Sequence, residues 1–132
     1  MNDDILLLKE VAKLRDIVGL GVCVGIYQAC NGVQFKNMPA SDFVCFLNLK
    51  LSKEKIHILP REKQRICYMI YAVSRTINPA NFARHWIKGV LELCEISLEY
   101  YDKHHKDVLS IEASARNKEY LVLITDAIKR GC

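Results

Sequence analysis

Apolar positions in this chain recur mostly at three- and four-residue steps, the spacing that gathers side chains on one face of a helix. Ile5, Leu8, Val11, Ala12 and Arg15 mark successive turns, with Leu7 and Leu14 widening the apolar face. Asp3 or Asp4 can cap this first helix and meets the positive end of its dipole. The next stretch, Val18 to Tyr27, is open to two assignments. Large and small residues alternate at period two and Asn31-Gly32 suits a hairpin turn, which fits a strand. Gly21, Gly25 and Ala29 fall on one stripe at four-residue steps, which fits a helix that lets a neighbour approach closely. The helix is favoured, because few other segments offer a strand a partner.

Residues 31–38 are expected to form a loop. Pro39 suits the first turn of a helix with Phe43, Phe46, Leu47 and Leu49 on its apolar face. Residues 50–59 form a basic connector, extended over Lys55–Leu59. Pro60 should start a helix carrying Ile66, Met69, Ile70, Val73 and Ile77. Asn78 should cap the next helix with Pro79 at its first position, turning Phe82, Trp86, Val90, Leu93 and Cys94 toward the core. A final helix over roughly 110–130 carries Tyr120, Leu121, Ile124, Ala127 and Ile128, with Gly131 beyond its end. A faint internal echo, Ile26-Tyr27 before Phe43 and Ile70-Tyr71 before Trp86, fits two packed helical hairpins and fits chance nearly as well. The expected fold is a mainly α, compact bundle of about five or six helices in one domain over residues 1–132, with a helix-turn-helix-like pair around Asn78-Pro79.

Composition narrows the function classes. A chain of 132 residues buries roughly two-thirds of its unfolded surface, enough for a core without disulfides or metal. Only 6 Gly and 3 Pro disfavour a turn-rich β-sandwich. Six cysteines stand at 23, 30, 45, 67, 94 and 132, with no CxxC pair for zinc or redox chemistry. The first five sit among apolar neighbours, where a thiol serves as a small core residue. Met1-Asn2-Asp3-Asp4 lacks the positive charge that opens a signal peptide, and reduced thiols fit a cytoplasmic setting. The uncharged run from Ile17 to Phe35 is continuously apolar only as far as Tyr27, too short for a membrane span.

Candidate chemistry is sparse. Gly19, Gly21 and Gly25 approximate a dinucleotide fingerprint, but Val24 stands where glycine or alanine is needed and no strand precedes it. Asp102, His104, His105 and Asp107 are metal-capable, yet adjacent histidines diverge and the stretch reads as an exposed linker. No nucleophile motif is present, so neither enzyme, metal, cofactor nor small-molecule substrate is expected.

Charge is more informative. Residues 50–89 hold nine basic against two acidic side chains, a net +7, while residues 90–102 hold four acidic side chains and no basic one. A solvated face laced with ion pairs explains this blandly. A phosphate-facing surface explains it more sharply. Arg75, Asn78, Asn81, Arg84, His85 and Lys88 recur at three- and four-residue steps opposite the Phe82/Trp86/Val90 face. At the start of the second helix of a helix-turn-helix, Asn and Arg can pair with adenine and guanine edges. Lys50, Lys53, Lys55 and Arg61 would flank them on phosphates. Asn78 aside, these nine residues are the candidate nucleic-acid contacts.

Ile66-Cys-Tyr-Met-Ile-Tyr-Ala72, Ile96-Ser-Leu-Glu-Tyr-Tyr101, Ile111-Glu112, Arg116, Tyr120-Leu121 and Arg130 resemble the C-terminal helical region of RteC-type regulators, associated with tetracycline-resistance conjugative elements in Bacteroides. The resemblance covers about residues 60–130 and implies a helical regulator acting on DNA of a mobile element. The family's last segment is crowded with Arg and Lys, whereas Ser110–Leu123 has only Arg116 and Lys118. Two functions follow as expectations. One is an accessory DNA-binding regulator. The other is a helical module that binds a protein, or itself, through the Gly21/Gly25 stripe or another apolar face.

Overall fold

The computed structural model of the chain describes residues 16–50 and 56–132. The expected first helix and the candidates Lys53 and Lys55 lie outside the described residues. Among the described residues six α-helices follow in order: α1 (Leu20–Cys30), α2 (Ala40–Leu47), α3 (Lys63–Ser74), α4 (Ala80–Cys94), α5 (Leu98–His104) and α6 (Ala115–Gly131), with a 3-10 turn at Asp107–Leu109. Among the described residues the only β pairings are two isolated bridges, Asn31 with Phe35 and Phe35 with Ile58. The fold is the mainly α bundle the periodicity predicts.

Val18–Tyr27 is resolved in favour of the helix, and the glycine stripe explains why. α1 makes its most extensive contact with α6. A Cβ on Gly21 would stand 2.6 Å from the Gly131 carbonyl oxygen, and one on Gly25 would stand 2.8 Å from that of Ala127. The two backbones therefore touch, which only hydrogen side chains permit. The stripe is filled by α6 from the same chain and is not a surface for self-association. Gly131 closes α6 from within, pressed against Gly21, rather than lying beyond the helix as expected.

α1 also packs on α2, α3 on α4, and α2 on α4, so two successive helix pairs meet with α6 spanning α1 and α3. Phe35, Phe43 and Phe46 pack edge-on in a triad with ring centres 5.5–5.7 Å apart. Trp86 is fully buried as expected, and its indole N–H donates to the Leu47 carbonyl at 2.7 Å, fastening α4 to the end of α2. Buried Asn48 accepts from the Val18 N–H at 2.8 Å and donates to the Val44 carbonyl at 3.1 Å.

Element boundaries differ from expectation where a residue leaves helical geometry. Arg61 takes a positive φ of 68°, so α3 begins at Lys63 rather than at Pro60. α3 ends at Ser74, and Pro79, not Asn78, holds the cap position of α4. Residues 102–107 are exposed at Asp102, Lys103 and Lys106 as expected, but instead of a plain linker they complete α5 and lead into the 3-10 turn. Ser97 and Ser114 cap α5 and α6 by accepting from the N–H groups of Tyr100 and Asn117.

Gly25→Ala tests the α1–α6 contact, because two effects oppose one another. Helix propensity alone favours alanine by about 1 kcal/mol, whereas overpacking against a backbone carbonyl costs about 1–3 kcal/mol. We expect chemical denaturation to show net destabilisation for Gly25→Ala. Gly19→Ala, with open space around it, should change stability by less than about 0.5 kcal/mol.

Candidate functional site

The structure distributes the candidate contacts over several places. Lys50 follows α2, and its ammonium pairs with Asp16 at 3.0 Å. Arg61 precedes α3 and lines a shallow cleft with His57, Lys63 and Glu95. Asn81 is exposed on the first turn of α4, while His85 and Lys88 are half-buried farther along and already engaged. Twelve residues of α3, roughly 18 Å of helix, separate the Arg61 end from the Arg75 end. Arg75 and Arg84 are the two candidates brought to one cavity.

That cavity is an open cleft of about 450 Å³ between α3, α4 and α5. The last turns of α3 supply Tyr71, Ser74 and Arg75, the first turns of α4 supply Ala83, Arg84 and Ile87, and Tyr101 and His105 close the far side. Arg75 donates to the Tyr71 hydroxyl at 2.9 Å, with its guanidinium 5.7 Å from the ring centre. The Lys106 ammonium lies 5.6 Å from the same ring, so two cations share one aromatic quadrupole. His105 stacks on Tyr101 with ring centres 4.5 Å apart and approaches Tyr71 at 5.0 Å. Its Nδ1 lies 2.7 Å from the Tyr101 carbonyl oxygen. A carbonyl only accepts, so Nδ1 carries the hydrogen and Nε2 is the ring's remaining polar atom. Among the described residues no acidic side chain lines the cleft.

Arg84 is not simply available. Its two terminal nitrogens donate to both oxygens of Asp102 at 3.2 and 3.3 Å, a fork-to-fork pair between half-exposed side chains. The acidic stretch thus lies alongside the basic one: Asp102 faces Arg84, and Glu95 shares the cleft of Arg61 and Lys63. This matches the bland expectation of an ion-paired surface for part of the charge.

A second cluster was invisible to the spacing rules. Glu62, 3% exposed, accepts from Gln34 at 3.0 Å and from Arg65 and Arg116 at 2.9 Å each. Beside it Gln64 and His104 both reach Asp107, at 2.9 and 2.7 Å. The hydrogen bond with His104, reinforced by that from Gln64 against a partial desolvation, holds the Asp107 carboxyl below its ordinary range. Tyr71 and His105 were missed as cleft residues too. The only sequence signal was the four-residue spacing of Tyr71 to Arg75 and of Tyr101 to His105.

Thiol chemistry is subdued. Burial pushes the Cys23 thiol up to about 11 and those of Cys30 and Cys67 up to about 12, and Cys94 higher still. These four stay protonated and poorly nucleophilic. Among the described residues no group of three or more His, Cys, Asp or Glu side chains is arranged to hold a metal, and no helix is long and apolar enough to cross a membrane. Comparison with protein-family models, curated proteins and solved structures finds no match to this chain.

Both polar clusters can be tested through stability. Glu62→Gln should cost about 3 kcal/mol in denaturant titration, the lower end for stripping one partner from a buried ion pair, since Arg116 is 59% exposed and rehydrates. Arg116→Ala should cost less than about 1 kcal/mol. For Asp107 the folded carboxyl is depressed, so its contribution is full above the unfolded value of 3.8 and is lost as pH falls through the folded pKa. The stability gap between wild type and Asp107→Asn, followed by thermal unfolding from pH 6 downward, should close in that acid range.

Proposed function

We propose that this chain is a non-catalytic regulatory protein that binds DNA with the junction of α3 and α4. The observation that carries the proposal is the meeting of Arg75, Arg84 and His105 around one open cleft with no acidic lining residue among the described residues, and with Lys106 against the Tyr71 ring that lines it. Arg75 and Lys106 meet phosphates, because their positive charges are held over the Tyr71 ring rather than cancelled by a carboxylate. Asn81, exposed at the start of α4, is positioned to reach a base edge. Arg84 joins the contact only by exchanging Asp102 for a phosphate or a guanine, so Asp102 acts as an internal competitor that raises the demand on the DNA.

Support for a regulatory role, and for a link to a mobile element, comes from the resemblance of residues 60–130 to RteC-type regulators. The helices that carry the resemblance include α3, which supplies Tyr71. Protonated, buried thiols support a non-catalytic protein, and six free cysteines support a reducing cytoplasm.

Fluorescence anisotropy with a labelled random duplex tests this. Binding should weaken with salt, and Arg75→Ala should flatten the log–log salt dependence by about 0.9, one phosphate contact. Asp102→Asn, which releases Arg84, should tighten binding. If about 10 μM protein leaves the duplex unbound at about 50 mM salt, conditions that catch even non-specific binders, the proposal fails.

A further inference from the structure

A second cavity, of about 470 Å³, runs between α3, the 3-10 turn and α6. Tyr68, Ala72 and Ile128 give it an apolar floor, and Leu109, 45% exposed, forms one wall. One cation stands on each flanking helix, Arg75 on the α3 side and Lys129 on α6. Among the described residues no carboxylate lines it. Val122, one turn before the lining residue Thr125, adds a further exposed apolar side chain on α6 at 59%. A half-exposed leucine on the wall of a groove with an apolar floor marks an interaction surface.

We propose that this groove docks an acidic amphipathic helix of a partner protein. Such docking goes beyond DNA binding and does not depend on it. Apolar side chains of the partner at three- and four-residue steps would enter between Leu109 and Ile128, and its flanking Asp or Glu side chains would face Arg75 and Lys129. A basic partner would set like charges against both rims, and a purely acidic one would leave the apolar floor in water.

Three labelled helical peptides of about 12 residues probe the full-length chain: leucine-faced with Glu flanks, leucine-faced with Lys flanks, and alanine-faced with Glu flanks. The first should bind at least about tenfold more tightly than either of the others by anisotropy, and more weakly as salt rises. Lys129→Glu and Leu109→Ser, both at exposed positions, should each weaken it about fivefold or more without moving the thermal midpoint. Equal binding of the Glu- and Lys-flanked peptides overturns the charge match. Equal binding of the leucine- and alanine-faced peptides reduces the site to charge alone and overturns the docking groove, as does absence of binding to all three. A concentration-dependent dimer of the protein that Leu109→Ser dissociates would make a second copy the occupant and overturn the partner.

Discussion

Burying the Glu62 carboxylate at the entrance to α3 would by itself cost several kcal/mol, so its surroundings must supply hydrogen bonds and positive charge. They do so from three segments that are distant along the chain. Gln34 comes from the turn after α1, Arg65 from the first turn of α3, and Arg116 from the start of α6. The N-terminal end of α3 adds its own partial positive charge. Satisfying one anion therefore fixes how the turn after α1, α3 and α6 stand relative to one another. Tyr120 follows one turn after Arg116 and is buried beside Cys30 and Tyr68. With α6 anchored at this end, its far end lies along the glycines of α1.

Carboxylates neutralise part of the basic segment. Lys50, Arg65 and Arg84 each face a carboxylate. Arg75 and Lys106 instead rest against the Tyr71 ring, which attracts a cation without neutralising it. The α3–α4 junction thus keeps charge available to an external anion. Arg75 also borders the groove on the α6 side, so the two cavities share a wall at Tyr71 and Arg75.

Much of the bundle was legible in the sequence because apolar spacing is a local property that burial rewards directly. Phe43, Phe46, Ile66, Val73, Trp86 and Ile124 sit in the core where their periodicity puts them. Boundaries were less legible. The positive φ of Glu95 ends α4 through local backbone bonds from Glu95 and Ile96, and because neither Glu95 nor Arg61 is a glycine, composition carries no mark of either. The cleft was half legible: Arg75 and Arg84 stood out by helical spacing, while His105 arrives from a segment that reads as linker. The Glu62 cluster was not legible at all. A carboxylate between Arg61 and Lys63 looks like a surface counter-charge, and its remote partners, Gln34 and Arg116, are identified only by the fold.

The close approach of α1 and α6 also bears on the order in which the molecule assembles. Gly21 and Gly25 find their partners, Gly131 and Ala127, about 100 residues later in the chain. During synthesis α1 has no surface for its glycine stripe until α6 has been made, so the early segment waits with its apolar residues uncovered. Closing so long a loop raises the contact order of the fold and slows it relative to a simple up-and-down bundle. The α3–α4 pair, consecutive in the chain, is then the part able to organise first, with the α1–α6 contact completing the molecule.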